Sequence, residues 1–244
     1  MLIIPAIDLK DGKCVRLLRG DFSTTHQVAE DPLAVASAFA EAGAKIIHMV
    51  DLDGARDGLR KNFDLIARVC ERSGLLVELG GGLRTMDDLR AADSIGVYRF
   101  VIGSAAVSDP ELVAQAVKQY GDRVAVGVDA KNGMVRTHGW EENSGKNALD
   151  FSADMVSLGV KTIIYTDIDT DGTLAGPASG AVQELSRRLD SDIIASGGIG
   201  SLDDVREIKE AGAAGVIIGK AYYSGRVDLR EAIKLGGEQC LQRG

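Results

Sequence analysis

Two short stretches end an apolar run on an aspartate. One is Ile4-Pro5-Ala6-Ile7-Asp8-Leu9-Lys10-Asp11-Gly12, and the other is Val126-Gly127-Val128-Asp129-Ala130-Lys131-Asn132-Gly133. Both read Asp-x-Lys-x-Gly, at matching places in the two halves of the chain. Two carboxylates flanking one substrate can divide proton transfer, one as general base and the other as general acid. The plainer reading of either alone is a turn, because Asp-x-x-x-Gly is also a loop signature. Their repetition favours catalysis.

A second set of residues suits anions. Gly80-Gly81-Gly82 and Gly103-Ser104 in the first half are matched by Ser196-Gly197-Gly198 and Gly219-Lys220 in the second. Glycine lets the backbone come close to a phosphate, and amides at a helix N-terminus aim donors at it. One Gly-Gly pair would be weak support, since it can simply ease packing; the matched set is more specific. Arg16, Arg19 and Arg84 are cations able to meet a phosphate or a carboxamide, or to remain solvated surface charges. Trp140, the only tryptophan, sits in a polar segment, where stacking on a flat heterocycle or on its own loop would cover its ring. His48 lies inside an apolar run, as either a core histidine or a substrate contact, and His26 and His138 fall in loops.

These groups need a frame. Eight short, β-branched apolar runs recur: 2–7, 45–50, 75–79, 98–102, 124–128, 162–165, 192–195 and 215–218. Helical periodicity fills 32–42, 62–73, 110–120, 149–158 and 202–211, with start signals at Asp31-Pro32, Asp109-Pro110 and Ser201. Alternating apolar strands and helices predict parallel strands with both faces covered. Eight near-equal units in 244 residues fit a closed (β/α)₈ TIM barrel better than an open doubly wound sheet. Internal repetition supports closure. Gly43, Asp51, Asp53, Gly81-Gly82, Asp87-Asp88, Gly96 and Gly103 recur 116 residues on, at Gly159, Asp167, Asp169, Gly197-Gly198, Asp203-Asp204, Gly212 and Gly219. We therefore expect one domain built from two (βα)₄ halves, about 1–121 and 122–244. In such a barrel the first and fifth strands oppose each other, so Asp8 and Asp129 face across the mouth. The glycine sets then predict two phosphate sites on opposite rims, and a substrate carrying a phosphate at each end. The long segments 20–27 and 137–145 read as loops at that mouth, suited to act as lids.

Composition bounds the rest. Hydrophobic residues make up 45% and charged residues 26%, an ordinary globular balance. A net charge of −8 argues against a general nucleic-acid or anionic-membrane binder while allowing a local anion site. No apolar run is long enough to span a bilayer, and the N-terminus opens directly on a core strand without a secretory signal. Cys14, Cys70 and Cys240 are scattered and lack metal-ligand spacing, as in a reduced, cytoplasmic protein. No metal constellation, Walker loop or dinucleotide fingerprint is present, so we expect no cofactor. With no exposed apolar stripe legible, a monomer is expected.

Taken in order, "IPAIDLKDGKCVRLLRGD", "HMVDLDGA", "GGGLR", "GVDAKNG", "HGW", "TDGTLAGP", "ASGGIG" and "GKA" resemble the histidine-biosynthesis isomerases acting on phosphoribosylformimino-aminoimidazole carboxamide ribotide, along the whole chain. The resemblance implies an Amadori rearrangement, in which an aminoaldose carrying two phosphates becomes an aminoketose without a cofactor. It implies Asp8 as the base at C2 of the ribose. For the acid that opens the furanose it offers Asp129 and also Asp171 of the Asp-Gly-Thr motif. We lean to Asp171 as proton donor, with Asp129 organising the site. Thr166 is expected at the sugar hydroxyls, and Gly172 and Thr173 at a phosphate. Three alternatives stay open: the related cyclase barrel, which takes ammonia from a partner; a bifunctional isomerase also acting on phosphoribosylanthranilate; and a non-catalytic bisphosphate-binding barrel. The run 15–21 and the His138-Gly139-Trp140 stretch look like the isomerase rather than the cyclase.

Overall fold

The computed structural model describes residues 1–18 and 20–238. The strands, in chain order, are β1 (Leu2–Lys10), β2 (Lys13–Leu18), β3 (Asp21–Ala29), β4 (Ile46–Asp51), β5 (Leu76–Gly80) and β6 (Arg99–Ile102). The second half supplies β7 (Val124–Lys131), β8 (Met134–Thr137), β9 (Glu142–Asn147), β10 (Thr162–Asp167), β11 (Asp192–Ser196) and β12 (Gly215–Ile218). The helices are α1 (Pro32–Ala42), α2 (Leu52–Asp57), α3 (Phe63–Arg72), α4 (Met86–Ser94), α5 (Ser104–Ser108) and α6 (Pro110–Tyr120). They continue with α7 (Ala148–Ser157), α8 (Ser179–Arg188), α9 (Leu202–Glu210), α10 (Lys220–Tyr223) and α11 (Leu229–Gly236).

Each expected apolar run is a strand of the barrel. β1, β4, β5, β6, β7, β10, β11 and β12 pair in that order, all parallel. β12 then returns to β1, with Leu2–Pro5 against Gly215–Ile218, and the sheet closes. The period-2 alternation of a strand divides its apolar residues between two cores. Ile4, Ala6, Ile46, Val101, Ala125, Ile164, Ile194 and Ile217 fill the barrel interior. Ile3, Ile7, Met49, Leu79, Phe100 and Val126 face outward under Phe39, Ile66, Val113 and Phe151 of the helices. Burial on both faces explains why these strands read as continuous apolar runs. A fully buried side chain of this size contributes about 1.5–3 kcal/mol.

Helix starts follow the sequence signals. Asp31 accepts from Leu33 N at 2.9 Å ahead of Pro32, and Asp109 accepts from Leu112 N at 3.1 Å ahead of Pro110. Capping boxes Thr85/Asp88 and Ser201/Asp204 open α4 and α9 at corresponding places in the two halves. An N-cap of this kind is worth about 1 kcal/mol. Gly81 and Gly197 have φ of 91° and 93°, and Gly82 and Gly198 have 84° and 82°, so the halves share backbone conformation as well as residue type.

The two segments expected to be lid loops are instead β-ribbons. β1 runs on through an antiparallel pairing with β2 and then β3, and β7 does the same with β8 and β9. The reversals fall at Asp11-Gly12 (φ 49° and 77°) and Asn132-Gly133 (φ 52° and 73°). Positive φ at both central residues is the hairpin geometry whose twist suits the flanking strands. The glycine of Asp-x-Lys-x-Gly does therefore mark a turn, but Asp8 and Asp129 lie before it, inside β1 and β7. The first ribbon is pinned at its turn: Asp11 N donates to Asp53 Oδ2 at 2.7 Å, and Gly12 N donates to Asn62 Oδ1 at 3.0 Å. Among the described residues, no helix is long and apolar enough to cross a membrane.

Candidate active site

Because Ile4 and Ala6 point into the barrel, the same alternation turns Asp8 inward at the C-terminal end of β1. Ala125 sets the same phase for Asp129 on β7, and Thr166 on β10 lies directly beside Asp129 in register. The barrel thus brings Asp8, Asp129 and Thr166 to one mouth from opposing strands. Asp171 joins them from the loop after β10.

Asp8 is ion-paired. Arg16 Nη1, on β2, donates to Asp8 Oδ2 at 2.7 Å. The Arg16 guanidinium lies across Gly219, where any Cβ would collide with it, and 5.7 Å from the centre of the Tyr223 ring. The Tyr223 hydroxyl in turn donates to the Ala6 carbonyl at 3.0 Å. Burial works against the charge of Arg16, but Asp8, Tyr223 and Asp171 hold its guanidinium above the ordinary range.

The other two carboxyls are poised differently. Burial raises Asp129, while hydrogen bonds from Trp140 and Thr166 and the proximity of His48 restrain the rise. Burial pushes Asp171 up to about 6; Arg16 and Lys220 pull it down, and Asp8 and Asp129 push it further up. The site therefore holds an arginine-paired carboxylate and, beside it, a carboxyl that retains a proton toward neutrality. That division suits base and acid.

Trp140 links the ribbons to this centre. Its backbone has φ 76°, and a Cβ on Gly20 would come 2.5 Å from its ring. The tryptophan thus lies against the turn of the other ribbon. His48 Nδ1 lies 2.8 Å from Glu78 Oε1, and Arg99 Nη1 donates to Glu78 Oε2 at 3.2 Å. Arg19 lies outside the described residues, as does Cys240. Arg84 is exposed and donates to the Ala55 carbonyl, and His26 is exposed as well.

The expected phosphate-site residues ring the same mouth. A Cβ at Gly81 would come 2.2 Å from the Asp51 carbonyl oxygen, and one at Gly198 would come 2.1 Å from that of Gly176. Gly82 and Gly197 are close-packed too, a Cβ there coming 2.7 Å from Gly54 and 2.8 Å from Asp167. These four glycines therefore serve loop-on-loop contact, whatever their amides face. Gly103 and Gly219 are the N-caps of α5 and α10 and offer no side-chain cap to the first amides of each helix. Ser104 Oγ accepts from His138 N at 3.0 Å. Lys220 Nζ donates to the Gly172 carbonyl at 2.6 Å, and the Thr173 hydroxyl donates to that of Thr170 at 2.6 Å.

Sequence reasoning missed Glu78, Arg99 and Tyr223. Each sits within or just after an apolar run, and only the closed sheet and its side-chain contacts show which partner it meets.

Fold and site together define a barrel enzyme of the acid–base class, built to hold an anionic substrate over its strand ends. The chain belongs to the family described as "Histidine biosynthesis protein", whose profile matches residues 2–228. It is similar to the 1-(5-phosphoribosyl)-5-((5-phosphoribosylamino)methylideneamino)imidazole-4-carboxamide isomerase of Acetivibrio thermocellus, at 44% identity over 235 residues covering 96% of this chain and 99% of the relative. The Clostridium botulinum isomerase of the same name is 47% identical, covering 96% of this chain and 97% of its own. That of Thermoanaerobacter pseudethanolicus is 44% identical over the same 96% of this chain.

Proposed function

We propose that this protein is the aminoaldose–aminoketose isomerase of histidine biosynthesis, acting on the same bis-phosphoribosyl imidazole carboxamide as its relatives. A single feature of the site carries the reading: Asp8, paired with Arg16, and Asp171, pushed up to about 6, share one barrel mouth. In the reaction the acid gives its proton to the furanose ring oxygen. The C1–O bond breaks as the exocyclic nitrogen donates its electron pair, leaving an open-chain iminium. The base then takes the proton from C2, and the electron pair of that C–H bond neutralises the iminium as an enolamine. Proton return from the base to C1, with loss of the C2 hydroxyl proton to restore the acid, gives the aminoketose. Every proton is moved between substrate and side chains, so the balance closes without a redox partner.

We assign Asp8 as the base and Asp171 as the acid. Asp129 orders the site through Thr166 and Trp140. Arg16, Thr166, Trp140 and His48 surround the sugar and base, with Arg19 expected beside them. Gly81, Gly82, Gly103 and Ser104 form one phosphate rim, and Gly172, Thr173, Gly197, Gly198, Gly219 and Lys220 the other. The matched capping boxes and glycine conformations support two fused (βα)₄ halves, and we place the enzyme in the cytoplasm as a monomer. The test is turnover of the aminoaldose bisphosphate by the purified protein without added metal, ammonia or partner. Conversion is expected, with none of singly phosphorylated phosphoribosylanthranilate. Tight binding without conversion would return the non-catalytic barrel.

A further inference from the structure

The barrel interior holds one polar chain that its apolar surroundings do not call for. Glu78 on β5 is fully buried, and both its oxygens are used: Oε1 by His48 of β4 at 2.8 Å, and Oε2 by Arg99 of β6 at 3.2 Å. The three residues are neighbours in register, His48 opposite Glu78 and Glu78 opposite Arg99. Buried ion pairs rarely add stability, because desolvating the charges offsets their attraction. Arg99 fits poorly even so, with its Nε buried and unpartnered.

The second half shows that the fold has no need of this chain. Moved on by the repeat of 116 residues, His48, Glu78 and Arg99 fall on Ile164, Ile194 and Gly215. Those residues occupy the same register, Ile164 opposite Ile194 and Ile194 opposite Gly215. The same architecture is thus built once with an apolar row and once with a charged one. What differs is what lies above. His48, turned inward on β4, is in range of Asp129, and its ring when charged favours the ionised form of that carboxyl.

We propose that Glu78, backed by Arg99, is a positioning residue that fixes the orientation and tautomer of His48, so that the ring presents Nε2 to Asp129 and the substrate. The inference rests on the isomerase reading for its catalytic consequence, but not for its geometry. His48 and Arg99 hold the Glu78 carboxyl below its usual range against the burial that would raise it, so it is ionised and can only accept. Nδ1 must then carry the proton, which leaves Nε2 of the neutral ring as an acceptor. The charged groups around His48 come from three strands: Glu78 from β5, Arg99 from β6 by way of Glu78, and Asp129 from β7. On β1 its register partner is Ala6, with Asp8 one inward position nearer the mouth.

Three variants test this: Glu78→Gln, Arg99→Gln and the double variant, which leaves no buried unpaired charge. Heteronuclear NMR of the imidazole nitrogens reads the tautomer directly, and only His26, His48 and His138 contribute signals. We expect the wild type and Arg99→Gln to keep the proton of His48 on Nδ1. Glu78→Gln and the double variant should lose that preference, since a carboxamide can donate as well as accept. Turnover should follow the tautomer. Glu78→Gln and the double variant should fall about tenfold to a hundredfold in kcat with KM little changed, as misplaced catalytic groups do. Arg99→Gln should stay near wild type in kcat even if it melts earlier. An unchanged His48 tautomer in the folded double variant would overturn the proposal, as would equal kcat losses in Glu78→Gln and Arg99→Gln. A wild type that shows the Nδ1 tautomer but no turnover would instead sink the isomerase reading and leave the positioning intact.

Discussion

At the scale of single residues, the site separates two kinds of carboxyl by their surroundings. Asp8 has an arginine at 2.7 Å, whereas Asp171 is half-buried with Asp8 and Asp129 near it. Asp8→Asn keeps the shape and deletes the base, so turnover should fall by about 10²–10⁴, while calorimetric affinity for the substrate stays close to wild type. Survival of activity would place the base elsewhere. Asp171 makes a different prediction, about stability. Its folded value, about 6, lies above its ordinary range, so the folded state holds the proton more tightly than the unfolded chain does. Below the ordinary carboxylate range both states are protonated and the group contributes nothing. As pH rises from that range to about 6 the unfolded chain gives up this proton while the folded state keeps it, so stability falls, and the loss is complete once the folded group ionises too. Asp171→Asn should therefore raise the melting temperature above about pH 6, lose that advantage in acid, and abolish turnover. A melting curve shifted equally at every pH would contradict this. The three aspartates were legible in the sequence because each ends or follows a recognisable motif. Glu78 and Arg99 were not, since a charged residue inside "LLVELG" or "YRFVI" shows its partner only once strands 21 and 30 residues apart are laid side by side.

At the scale of elements, the eight barrel strands were readable because burial on both faces writes them as β-branched runs. The ribbons were not. β3 and β9 are mostly polar and bury none of their residues fully, so hydrophobicity does not mark them. Their one signal is the dipeptide at each reversal, Asp11-Gly12 and Asn132-Gly133, which in a hairpin carries more information than the strands it joins. Glycines at positive φ fall into two classes here. Gly12 has open space where a Cβ would stand, whereas Gly81 would drive one to 2.2 Å from the Asp51 carbonyl oxygen. Gly12→Ala should cost about 1–2 kcal/mol, the backbone penalty alone. Gly81→Ala should cost clearly more, because two pieces of backbone must part. Denaturant unfolding of both variants separates the cases, and equal losses would mean that the loop after β4 yields easily.

For the whole molecule, the closed sheet brings Met1 beside the end of α11. The N-terminal ammonium of Met1 donates to the Gly236 carbonyl at 3.0 Å. The proposed seam between the halves, by contrast, falls at a short 3₁₀ turn, Gly121–Arg123, on the surface. A circular permutant that joins the ends through a flexible linker and opens between Gly121 and Asp122 should fold to the same barrel. Its stability should lie within about 2 kcal/mol of the parent, and it should keep turnover; an insoluble or inactive permutant would show that chain order matters beyond connectivity. The β1–β12 pairing has a consequence in time as well. Translation at 5–20 residues per second separates the emergence of these two strands by roughly 10–40 seconds. Until β12 arrives, Leu2–Pro5 of β1 has no partner on the edge that β12 will take, although Asp8–Lys10 is already paired with β2, and the nascent barrel keeps a sticky margin. The first strand to be made is thus the last to be sealed, and the cell must shield that margin until the two hundred or so residues between have been made.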